Sequence, residues 1–190
     1  AEADAIAELC ARLIESHTII DRRSGTERPC QPGDIAFQDL DAAFQSAIAT
    51  LERALPDLGT TVVGVDSAAY RDALTLQRFS STVWGGTVTV VPTIRDAATG
   101  SCSRFAAFVR IPPENGVVSL VLCPQFFSEG ADALRVLTIL HEMVHVVAGP
   151  DECQAMAFTA RVEQGASGRF TPVDAYWRAN DCAASSFRRP

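Results

Sequence analysis

Apolar residues recur along this chain with two different periods, and the order in which the periods alternate predicts its architecture. Phe37, Leu40, Phe44, Ile48, Leu51 and Leu55 return every three or four positions until Pro56, with Asp34 placed to cap the start. That spacing predicts a long helix with one buried face. An alanine-rich amphipathic stretch over residues 3–16 predicts an earlier helix, and the glycines and prolines of residues 21–33 predict a polar loop between the two. The period then shortens. Residues 61–65, 82–91, 104–111 and 117–123 are rich in β-branched and aromatic side chains and predict four short strands, with Gly85-Gly86 marking either a bulge or a hairpin turn. After Cys123-Pro124, Leu134, Leu137, Leu140, Val144 and Val147 restore helical spacing over residues 128–148, and Gly149-Pro150 closes it. Two further helices are expected over residues 151–164 and 172–182. Helices, a small twisted sheet, then helices again predict a mainly helical α+β fold, a single domain over residues 1–190.

One of these helices carries a motif with chemical content. His141-Glu142-Met143-Val144-His145 places two imidazoles four residues apart, on one face of a helix, with a carboxylate beside the first. Both rings can then share one Zn²⁺ while Glu142 reaches the water to be activated, which is the active-site arrangement of a zincin peptidase. Shuffled chains of this composition would show about 0.002 such matches, so a core helix with hydrogen-bonded histidines is the weaker account. A catalytic zinc takes three protein ligands and leaves a position for water. His17, the remaining histidine, is read as a surface or structural residue. Asp151, just past the Gly149-Pro150 break, stands first as the third ligand, although an aspartate there also suits the cap of the next helix. Glu152 is the alternative, because an ExxA stretch on a second helix is how gluzincin-type peptidases supply their glutamate. Asp174 is a more distant candidate.

Charge and cysteine content narrow the partners. The net charge of -7, with basic residues scattered and all arginine, argues against nucleic acid, which needs a clustered basic surface. No apolar run approaches the ~20 residues of a membrane span. Six cysteines without a CxxC pair suggest three disulfides, expected as Cys10–Cys30, Cys102–Cys123 and Cys153–Cys182, and hence a secreted, extracellular or periplasmic protein from which a signal peptide or propeptide has been removed.

Several segments together resemble the deuterolysin, or aspzincin, metalloendopeptidases. These are Leu122-Cys123-Pro124-Gln125-Phe126-Phe127, the HEMVH motif that follows, Gly149-Pro150-Asp151, and Val173-Asp174-Ala175-Tyr176. The resemblance implies a secreted, disulfide-bonded zincin with one catalytic zinc, and carries the aspartate ligand to Asp151. The family motif GTxDxxYG is shortened here, and Gln154 stands where the family has a tyrosine that stabilises the transition state. Tyr176 and Gln154 are the candidates to replace that donor. In the lysine-specific branch an acidic pair lines the substrate pocket; Asp174 matches its first member, and Trp177 occupies the place of the second. The expected function is that of a zinc metalloendopeptidase, a monomer acting on protein or peptide substrates, with Glu142 as general base. The rival expectation is a catalytically impaired zincin fold kept as a binding module.

Overall fold

A computed structural model describes residues 20–21, 26–27, 35–95 and 97–190. The helix expected over residues 3–16, His17, the Cys10–Cys30 bridge and the Asp34 cap lie outside the described residues. Strands β1 (Ile20–Asp21) and β2 (Thr26–Glu27) pair antiparallel ahead of α1 (Ile35–Ala54). In α1, Leu40, Ala43, Phe44, Ala47, Leu51 and Ala54 form the buried stripe that the three-to-four spacing predicts. A short 3-10 turn, Leu55–Asp57, carries Pro56 past its end.

Residues 61–65 form no single strand. They fold into a hairpin, β3 (Thr61–Val62) against β4 (Val65–Asp66), through Val63 and Gly64 at φ +52° and +75°. Positive φ at both turn positions matches the twist of the hairpin, and is unusual for a β-branched residue such as Val63. Helix α2 (Ser67–Leu76) follows, an element the sequence reading did not include. Its start is explicit: Asp66 Oδ1 accepts from the backbone N–H groups of Ala68 at 3.0 Å and Ala69 at 3.2 Å.

The main sheet contains β5 (Arg78–Ser80), β6 (Thr87–Ile94), β7 (Ala107–Glu114) and β8 (Val117–Leu122) in the order β5-β6-β8-β7. β6 and β8 run parallel, and the outer strands pair antiparallel with them. Gly85 and Gly86, at φ +81° and +70°, lie in the connection from β5 to β6, so they serve as turn and the strand expected from residue 82 begins at Thr87. Val88, Val90, Val118, Leu120 and Leu122 project from one face into the core, alternating with more exposed neighbours except at Val121, which is buried on the other face with Cys102 and Cys123.

Three helices close the chain: α3 (Asp132–Ala148), α4 (Glu152–Ser167) and the short α5 (Asp174–Ala179). α3 packs on α1, α2 and α4 and also touches β7. Ile139, Leu140, Met143 and Val144 are shut from solvent, and each such aliphatic side chain contributes about 1.5–3 kcal/mol by burial. Gly165, expected between helices, lies inside α4, where a Cβ would come within 3.2 Å of the Ala54 Cβ on α1. The missing side chain lets the two helices approach. Disulfides join Cys102 to Cys123 and Cys153 to Cys182, as befits an oxidising environment. Among the described residues no helix is long and apolar enough to cross a membrane. The architecture is therefore α+β with one main core shared by helices and sheet.

Candidate metal centre

The buried stripe of α3 fixes the direction of its opposite edge, where His141 and His145 emerge one turn apart. Their ring centroids are 5.0 Å apart. His145 is 7% exposed at its side chain and His141 22%, so the pair runs from the interior toward solvent. The ring of His145 is oriented through its Nδ1–H, which donates to Gly149 O at 2.9 Å. A carbonyl only accepts, so Nδ1 carries a proton, and Nε2, which faces Glu152, is the ring atom placed to bind a metal.

Facing both rings is Glu152, the first residue of α4. Its Oε2 lies 3.0 Å from His141 Nε2 and its Oε1 2.8 Å from His145 Nε2. One donor atom from each of the three residues falls within 4.8 Å of the others. Ligands about 2.1 Å from a tetrahedral zinc stand about 3.4 Å apart, and two imidazoles with one carboxylate are a common donor set for that ion. The cluster can therefore hold a divalent metal. Burial alone would raise the Glu152 pKa, but hydrogen bonds and charge from the two imidazoles outweigh it and hold the carboxyl well below its usual range. For His145, burial works to lower the pKa, while the Glu152 carboxylate, the Gly149 carbonyl and the charge of Glu142 together raise it.

Asp151, the ligand placed first from sequence, is not part of the cluster. Its side chain caps α4, with Oδ1 accepting from Gln154 N at 3.0 Å. Gly149 at φ +112° breaks α3, and Asp151 in extended conformation then starts α4 so that the next residue, with one more methylene, reaches the rings. Glu142 sits beside the cluster. Its carboxylate makes no hydrogen bond or ion pair among the described residues, and burial pushes its pKa up to about 7, the His141 and His145 charges opposing that shift and Glu152 adding to it.

Other expected site residues fall elsewhere. Gln154 is buried and its Nε2 donates to Val63 O at 3.0 Å, tying α4 to the β3–β4 hairpin instead of offering a donor to substrate. Tyr176 is 54% exposed and makes no side-chain hydrogen bond into the cluster. Asp174 pairs with Arg189 at 2.5 Å, and the Arg189 guanidinium also lies 5.2 Å from the Trp177 ring centroid. Trp177 itself is buried with Cys153, Met156, Ala157 and Cys182, so it is packing and not pocket wall. A polar cleft of about 770 Å³ between the hairpin, α4 and the C-terminal residues is lined by none of the cluster residues.

Sequence reasoning missed two side chains that grip α3. Tyr70 of α2, wholly buried, donates its hydroxyl to Leu140 O at 2.7 Å, and Trp84 donates its indole N–H to Val146 O at 2.8 Å. The spacing of Tyr70, Ala73 and Leu74 behind the Asp66 cap was the available signal for α2; Trp84 left none. Compared with protein-family models, with curated proteins and with solved structures, the chain matches none of them.

Proposed function

We propose that this protein is a zincin-type zinc metalloendopeptidase, with His141, His145 and Glu152 as metal ligands and Glu142 as general base. The observation that carries the reading is the Glu142 carboxylate, without a hydrogen-bond or ion-pair partner among the described residues and with its pKa pushed up to about 7, next to a His–His–Glu donor set. A structural carboxylate in that position would be expected to have a partner. When bound, a zinc ion supplies Lewis acidity to a water molecule and to the substrate carbonyl. Glu142 accepts the proton of the attacking water and passes it to the departing amine, a task for which a pKa near neutrality is suited. His145 is held in the ligating tautomer by Gly149 O, and Glu152 offers a carboxylate oxygen to each side. An acid from the helix after the motif follows the gluzincin pattern, so the proposal keeps the zincin class and replaces the aspartate of the aspzincin resemblance. The two disulfides among the described residues support action outside the reducing cytosol, in keeping with a secreted enzyme.

The test is Glu142→Gln. Zinc content should stay stoichiometric while chelator-sensitive cleavage of unfolded casein falls at least ~100-fold. Undiminished cleavage would dismiss Glu142 as the base. One observation favours a second reading, a binding module that retains the metal: neither Gln154 nor Tyr176 donates into the cluster. Zinc binding by the unaltered protein with no cleavage of any unfolded protein would select that module.

A further inference from the structure

The end of α3 leaves a carbonyl that its own helix cannot serve. His145 O accepts from Gly149 N at 3.0 Å, but a continued helix would serve Val146 O from residue 150, which is Pro150 and has no N–H. Val146 is wholly buried. Its carbonyl is satisfied from 62 positions away in sequence, by the Trp84 indole N–H at 2.8 Å. Trp84 is itself held in the connection between β5 and β6: its backbone N–H donates to Ser81 Oγ at 2.8 Å, and Ser81 N donates to Gly86 O at 2.8 Å. Ser81 is buried, which anchors the brace in the body of the fold.

We propose that Trp84 is a positioning residue of the metal centre, fixing through Val146 O the point at which α3 stops and the chain turns back to deliver Glu152. Val146 follows ligand His145, and only Val147 to Asp151 separate it from ligand Glu152. Within that span Gly149 O orients the His145 ring, so displacement of the helix end would disturb two of the three donors together. The inference rests on the metal-binding reading of the His–His–Glu cluster. It adds the sheet connection as a support for ligand geometry, of the kind that tunes metal affinity without touching the ion.

Two replacements separate the hydrogen bond from the bulk of the ring: Trp84→Phe, and substitution of Trp84 by 3-benzothienylalanine, which keeps the bicyclic shape and replaces the N–H by sulfur. Zinc affinity is measured by competition with a chromophoric chelator, and the melting temperature of the chelator-treated protein reports the fold separately. Both replacements should weaken zinc binding about 10-fold. A lowered melting temperature with unchanged zinc affinity in the folded isostere would show that Trp84 only supports the fold, and would overturn the proposal while leaving the metal site standing. Failure of the unaltered protein to bind zinc would overturn both.

Discussion

The two ends of α3 each bury polar side chains, and they use them differently. Near the N-terminus, Arg135 is 7% exposed, and its guanidinium donates to Ser128 O at 3.0 Å and Phe126 O at 3.4 Å while pairing with Asp132. Its donors are spent on holding the turn Pro124–Phe127 against the helix. Near the C-terminus, His141, His145 and Glu152 meet only one another through their ligand atoms, and Glu142 meets nothing by hydrogen bond or ion pair among the described residues. A buried charge whose capacity is filled by backbone carbonyls is structural; a cluster that keeps donor atoms converging on one point has capacity left for a ligand.

The sharpest way to break this contrast is to exchange the two neighbouring acids at the C-terminal end. Glu152→Ala should remove stoichiometric zinc, measured by metal analysis after dialysis, whereas Asp151→Ala should keep it and lose only about 1 kcal/mol of stability with the helix cap. The opposite pattern would return the ligand to Asp151. At the N-terminal end Arg135→Met should cost about 2 kcal/mol by stripping the turn carbonyls of their donor, lowering the melting temperature by about 4–8 °C. Zinc affinity should be unchanged there; a loss of both would mean that the two ends are coupled.

The smallest effect is on pH dependence after chelator treatment. The Glu152 carboxyl is held below its ordinary 4.5, so it adds stability above that pH which is lost as the pH falls. The His145 ring is held above its ordinary 6.5, so its contribution is present below that pH and is lost as the pH rises through the raised value. Glu142, its pKa pushed from 4.5 up to about 7, opposes stability increasingly as the pH rises from about 4.5 to 7, because burial resists its ionisation. Stability should therefore be greatest near pH 4.5 and decline above it, first against Glu142 and then as His145 deprotonates, with shallow limbs because the cluster is partly open to water. Thermal melts across pH check this, and Glu152→Gln should flatten the acid limb; an unaltered limb would mean that other carboxylates set it.

How much could be read in advance depended on the range of the interaction. α1, β8 and the motif helix were legible because their apolar residues repeat within a few positions, and α3 lost only its expected first turn, where Gly130 at φ +73° precedes Asp132. α2 was obscured by β-rich residues on both sides. At the site, the two imidazoles and Glu142 were legible from spacing alone, while Asp151 and Glu152 differ by one position and only the course of the turn at Gly149 separates them. Gln154, Asp174 and Trp177 look like site residues in one dimension. In three, they bind the hairpin, Arg189 and the core beside Cys153–Cys182.

By itself, then, the sequence determined the helix bearing His141, Glu142 and His145 and the face those histidines share, because helical periodicity is local geometry. It also carried the cysteines that form the two observed bridges. Only the tertiary structure decided which acid meets the rings, what holds Val146 O and what Gln154 does. Those contacts join residues as many as 91 positions apart, and their geometry follows from how turns and packed helices direct the chain, which no short pattern encodes.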